Sequence, residues 1–175
     1  MCIRDRHKFY QFVILILLIQ AFPSTELAAQ FTESEFEEMA TQMAAGDTRD
    51  IEVATLKTMK DEVVLLDTRE QKEYEISHIP GAIWVGYDNF KLKNVKALAK
   101  DAKIVTYCSV GYRSERIGER LQEAGFTDVS NLKGSIFKWV NEGNALEDKD
   151  GQETDKVHGF DKDWGKWVKG DKAVY

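Results

Sequence analysis

From Thr32 onward, apolar side chains recur at Phe36, Met39, Ala40 and Met43, one face of a helix, and Thr32 with Glu35 forms a capping box at its start. The pattern predicts an N-terminal helix to about Ala45, ended by Gly46-Asp47. Arg49-Asp50-Ile51 fits an edge strand, and Val53 to Met59 a small helix. Val63-Val64-Leu65-Leu66 is a continuous apolar run bounded by Asp61 and Asp67, as expected of a strand buried on both faces. Ala82 to Val85 and Ile104 to Tyr107 repeat the type, with Phe90, Val95, Leu98 and Ala99 at helical spacing between them. Ser114 to Ala124 reads as a helix with Ile117, Leu121 and Ala124 on one face and Gly125 as its stop. Asp128 to Ser130 is a last strand and Ser135 to Val140 a last helix. Strand alternating with helix predicts an α/β domain with a mostly parallel sheet over residues 49–143.

The two ends of the chain break this pattern. Arg4, Arg6 and Lys8 precede the apolar run Phe12 to Ile19, and small residues follow to Ala29, the order of a secretory signal peptide over residues 1–29. The run falls short of the roughly 18 to 20 residues that cross a bilayer. The mature chain is therefore expected in the periplasm or outside the cell, and held at the membrane if the leader is not cleaved. Residues 30–48 form an N-terminal helical extension. After Gly143 the stretch Asn144 to Lys156 is polar and acidic, while Val157 to Tyr175 carries Phe160, Trp164 and Trp167. The three-residue spacing of the tryptophans places both on one helical face, so residues 144–175 are expected to pack back onto the domain. His158 stands alone there, without the clustered ligands a metal needs.

A length of 175 residues suits one domain with a leader and a tail, and 43% hydrophobic against 31% charged residues excludes disordered and low-complexity classes. A net charge of −6 opposes phosphate backbones, so nucleic acid is not an expected partner. Two cysteines, Cys2 and Cys108, cannot make a four-thiolate metal site, and neither a metal nor a cofactor is expected. Removal of the leader would take Cys2 with it and leave Cys108 as the sole thiol of an exported protein. Such a thiol is either buried as a small hydrophobe or used for its reactivity.

The context of Cys108 favours reactivity. It follows the strand Lys103-Ile104-Val105-Thr106-Tyr107 and precedes Ser109-Val110-Gly111-Tyr112-Arg113, after which Ser114 is placed to cap the next helix. A thiol at a strand-to-helix turn meets backbone N–H groups and the positive end of a helix, which lower its pKa and favour the thiolate. Gly111 is able to take a positive φ and curl the amides inward into an anion nest, and Arg113 brings a cation.

Upstream stand Asp67-Thr68-Arg69, Glu73-Tyr74 and His78-Ile79-Pro80-Gly81-Ala82; downstream, Asn131-Leu132-Lys133-Gly134-Ser135 leads to Trp139. In order and spacing these pieces, with the Cys108 loop, resemble the rhodanese homology domain over roughly Ile51 to Gly143. Ser77 and Ser135 stand where that family usually has glycine. The resemblance implies a rhodanese-like fold, a central sheet of about five strands flanked by helices. It also implies sulfur transfer through a persulfide on Cys108, from thiosulfate or another small anionic donor to a thiol or protein acceptor. Residues 109–114 (Ser109, Val110, Gly111, Tyr112, Arg113, Ser114) would line the anion pocket. Asp67, Arg69 and Glu73 read as a structural charge network, and His78 as a packing and hydrogen-bonding residue of the turn before Pro80. A cysteine phosphatase or arsenate reductase is disfavoured by loop length: four residues separate Cys108 from Arg113, one fewer than those enzymes carry. A thioredoxin-like enzyme is disfavoured by the missing second cysteine. A persulfide carrier or a binding module of the same fold remains the alternative.

Overall fold

In the computed structural model, which describes residues 31–175, the chain runs α1 (Glu33–Met43), β1 (Arg49–Ile51), α2 (Val53–Met59), β2 (Val64–Asp67), α3 (Gln71–Ile76), β3 (Ile83–Trp84), β4 (Lys103–Tyr107), α4 (Tyr112–Glu123), β5 (Asp128–Leu132) and α5 (Ser135–Asn141). Short elements follow: β6 (Leu146–Glu147), β7 (Glu153–Thr154), β8 (Val157–His158), α6 (Lys162–Gly165) and β9 (Ala173–Val174). The leader expected over residues 1–29 lies outside the described residues. Among the described residues no helix is long and apolar enough to cross a membrane.

The first five strands form one parallel sheet in the order β1-β5-β4-β2-β3. Strand β4 lies at its centre, in register with β2 through Leu65 opposite Val105 and with β5 through Val105 opposite Ser130. Alternation along each strand sends neighbours to opposite faces. Leu65, Val105, Tyr107 and Leu132 join a core with Phe36 and Ala40 of α1, Leu56 of α2, and Ile136, Phe137 and Val140 of α5. Leu66, Ile104 and Val129 join a second core with Ile117 and Leu121 of α4. Covering both faces is what the uninterrupted apolar run of β2 required.

The structure departs from the sequence expectations in four places. The helix expected across Phe90 to Ala99 is a single 3-10 turn, Leu92–Val95. Phe90 and Val95 are buried without it, and the backbone between them is satisfied locally, with Asn94 N–H donating to Lys91 O. Helix α3 gave no periodic signal in its six residues; it is started by the Glu73 carboxylate, which accepts the Glu70 N–H at 3.0 Å. Helix α4 begins at Tyr112, two residues before the predicted cap at Ser114. Gly111 occupies the cap with φ 121°, and the Ser114 hydroxyl donates to Gly111 O at 3.0 Å inside the first turn. The two tryptophans do not share a helical face, since α6 is one turn long. Its Asp161 cap accepts the N–H groups of Asp163 and Trp164, while Trp167, beyond the helix, packs its ring 5.2 Å from Phe31 and 6.2 Å from Phe36. Leu146, Val157 and Val168 from residues 144–175 are buried in the same core as α1 and α5.

Candidate active site

The connection leaving β2 runs to β3 on one side of the sheet, and the connection leaving β4 runs to β5 on the other. The carboxyl ends of β2 and β4 therefore bound a crevice, the position where open α/β sheets bind ligands. Cys108 follows β4 directly and sits in this crevice. Its backbone is fixed by the start of α5: the Ser135 hydroxyl accepts the Cys108 N–H at 3.1 Å, and Ile136 N–H and Phe137 N–H donate to Cys108 O and Ser109 O. Gly134 (φ 68°) and Ser135 (φ 51°) both adopt the left-handed region, the geometry a pair of glycines would take without strain. The serine accepts that strain and gains two hydrogen bonds, the second to Leu132 O at 3.2 Å. Ser77, by contrast, has φ −169°, extended backbone that needs no glycine.

The thiol is more enclosed than expected of a loop cysteine, at 1% exposure. It is not sealed in hydrocarbon, because it forms part of the wall of a cavity of about 480 Å³. The Gly111 N–H donates to Sγ at 3.2 Å. Burial pushes the thiol up, but the Arg113 guanidinium, the Ser114 hydroxyl and amide, and the Gly111 amide outweigh it and hold the thiol below its ordinary range. The first-turn amides of α4 have no intrahelical acceptor and are available to an anion at this point.

Arg113 is spent in a way the sequence did not reveal. Its two terminal nitrogens donate to the two carboxylate oxygens of Glu73 at 2.7 and 2.8 Å, and Nη2 also reaches the Ser109 hydroxyl at 3.0 Å. Glu73 is fully buried. Its burial pushes the carboxyl up, and Arg113, Arg69 and the Glu70 amide outweigh this and leave it below the usual carboxylate range. The expected charge network of Asp67, Arg69 and Glu73 is built from two hydrogen-bonded pairs, coupled through the field of Arg69 on Glu73. Asp67 binds Arg69 between β2 and Ser77 O, with Nη2 to Oδ2 at 2.6 Å, and Glu73 reaches under the Cys108 loop to Arg113. His78 stacks on Tyr74 with ring centres 3.8 Å apart and contacts Glu147 at 3.2 Å.

The six loop residues do not occupy equivalent places. Ser109, Val110 and Ser114 are buried, Gly111 points its amide at sulfur, and Tyr112 is exposed at the mouth of the cavity. The remaining wall comes from residues that no motif marked: Met43 at the end of α1, Glu70, Tyr87 and Asp88 after β2 and β3, and Phe160 and Trp164 from the last third of the chain. Only the aromatic content of residues 157–175 hinted at the last two. His158 is buried and accepts the Phe160 N–H at 2.9 Å, a structural role; burial lowers its pKa. Among the described residues no cluster of His, Cys, Asp and Glu could hold a metal ion.

A family profile described as the rhodanese-like domain matches residues 52–142. A tRNA uridine(34) hydroxylase of Listeria monocytogenes is 37% identical over 100 residues, covering 54% of this chain and 31% of that protein, so the chain corresponds to about a third of such relatives. A rhodanese-like domain protein from Staphylococcus aureus superposes with a TM-score of 0.51 at 28% identity, covering 58% of this chain and 99% of that one. A thiosulfate sulfurtransferase from Pseudomonas aeruginosa superposes with a TM-score of 0.54 at 26% identity, covering 75% of this chain and 25% of that one.

Proposed function

The chain belongs to the rhodanese-like family, and from that premise we propose that it is an exported sulfurtransferase moving sulfane sulfur from thiosulfate or a related donor to a thiophilic acceptor through a persulfide on Cys108. The observation that carries this reading is the thiol itself. It lies at the carboxyl end of the central strand, in the wall of a cavity, with the Gly111 N–H 3.2 Å from sulfur and its pKa held down against burial. That combination suits a nucleophile and not a packing residue.

In the first half-reaction the Cys108 thiolate attacks the outer sulfur of thiosulfate. The donor's S–S bond breaks, and sulfite leaves with its electron pair. The terminal sulfur of the new persulfide is anionic and occupies the space in front of the Gly111 N–H and the first-turn amides of α4. Arg113, clamped by Glu73, contributes a fixed positive field there without being free to wrap the donor. In the second half-reaction a nucleophile takes the outer sulfur and the Cys108 thiolate is regenerated. The tRNA reaction named for the curated relatives belongs to proteins of which the match covers 31%, and a net charge of −6 opposes a phosphate backbone. Sulfur transfer to a small or thiol acceptor is therefore the preferred reading. Export rests on the signal-like order of residues 1–29.

The test is direct. Incubation with thiosulfate should add one sulfur atom to Cys108 by peptide mass mapping, and thiosulfate with cyanide should yield thiocyanate. Cys108→Ser should lose both while keeping the fold by circular dichroism. An unchanged mass in the wild type, or equal turnover in the serine variant, would refute the proposal.

A further inference from the structure

The cavity in front of Cys108 is far larger than a small inorganic donor requires. At about 480 Å³ it falls within the range of pockets that hold organic ligands, and a dry apolar cavity of roughly 150 Å³ already accepts a benzene ring. Its wall is mostly apolar and aromatic: Met43, Tyr87, Val110, Tyr112, Phe160 and Trp164. Three of these, Met43, Phe160 and Trp164, lie outside residues 52–142, so they are additions to the family-matched part of the chain. They are held in place. Phe160 keeps a left-handed backbone (φ 67°) with its N–H on His158, and its ring lies 5.4 Å from the Arg113 guanidinium, while Trp164 packs against the core below.

The charges of the wall add a second constraint. Arg113 is compensated by Glu73, and Glu70 and Asp88 face the cavity without an ion pair among the described residues. Once Cys108 carries a persulfide, the loop amides are engaged by that anion, and a further negative charge on the acceptor would meet these two carboxylates in a wall whose one cation among the described residues, Arg113, is already paired.

We propose that the sulfur acceptor is an organic thiol with an aromatic or bulky apolar body and no negative charge, seated against the wall supplied by Phe160 and Trp164. This rests on the sulfurtransferase reading and specifies its substrate class. The acceptor thiolate attacks the outer sulfur of the Cys108 persulfide, the bond between that sulfur and Sγ breaks, Sγ leaves as thiolate, and the acceptor departs as its own persulfide. No further oxidant or reductant is needed.

The full chain is loaded with thiosulfate, freed of excess donor and checked by mass. Loss of the persulfide is then timed with phenylmethanethiol, 2-mercaptoethanol and 3-mercaptopropionate, each rate expressed per thiolate present. Phenylmethanethiol is expected to react about tenfold faster than either of the others, the scale on which apolar pockets discriminate. Phe160→Ala should cut that advantage severalfold. Because Phe160 is half-exposed, the change leaves the core intact, and Phe160→Leu should retain most of the advantage. A persulfide that passes to all three thiols at equal rates, or an advantage untouched in Phe160→Ala, overturns this inference alone. Failure to form any persulfide overturns the sulfurtransferase reading and this inference with it.

Discussion

Arg113 and Glu73 form one ion pair on which both the charge of the Cys108 thiol and the balance of a buried carboxylate depend. Arg113 counters the burial that would keep Cys108 protonated, and Glu73, with no exposure of its own, depends on Arg113 for charge balance. Arg113→Gln should raise the midpoint of the pH profile of iodoacetamide alkylation at Cys108. It should also cost about 3 kcal/mol in chemical denaturation, because it leaves a buried carboxylate unpaired. Adding Glu73→Gln should recover much of the stability and none of the alkylation shift; recovery of both would show that the pair acts on sulfur only through folding. The cysteine and the arginine were legible in the sequence as a strand-to-helix loop. The partner was not, because a carboxylate thirty-five positions before Cys108 reaches it only by way of α3.

At the scale of elements, the Cys108 loop is positioned by contacts from both ends of the domain. The start of α5 holds the Cys108 backbone, and the end of α1 presses on Gly111, where an added Cβ would lie 2.9 Å from the Ala44 Cβ. Gly111→Ala therefore meets both a close contact and φ 121°. It should cost about 1 to 3 kcal/mol in stability, and it should slow Cys108 alkylation severalfold as the amide is turned away from sulfur. An alkylation rate equal to wild type would show that the Gly111 amide does not matter to the thiolate. Strands β2 and β4 and helices α1, α2, α4 and α5 were all visible as apolar periodicity, since each buries a continuous stripe or run. The α3 helix was hidden because the side chain it buries is the charged Glu73, so no apolar stripe marks it. The 3-10 turn at Leu92–Val95 was over-read because buried apolar residues need no helix when loop backbone is satisfied locally.

For the whole molecule, residues 144–175 belong to the same core as the sheet. Leu146, Val157 and Val168 are buried with α1 and α5, and at roughly 1.5 to 3 kcal/mol per buried side chain their removal approaches the total stability of a domain. A chain ending at Gly143 should show no cooperative thermal transition; a normal one would make these residues a dispensable tail. Acid should also loosen the fold. The pKa of Glu73 is lowered on folding, so its contribution is present above about pH 4.5 and lost as pH falls through the folded value. His158, also lowered, acts with the same sign from about pH 6.5 downward, whereas Glu115, raised mainly by burial, opposes them by favouring the protonated form. Asp50 is raised by burial as well and opposes with Glu115, but both act above their ordinary values; below about pH 4 Glu73 acts against little opposition, so Tm should fall between about pH 4 and 2.5, and a constant or rising Tm there would contradict this balance. By itself the sequence determined the class of fold, the sheet of parallel strands and the place of Cys108 at a strand-to-helix turn, because periodicity and a loop motif are local. Tertiary structure alone decided which carboxylate steadies Arg113 and that Met43, Phe160 and Trp164 wall the cavity, because those contacts join residues far apart in sequence and obey no spacing rule.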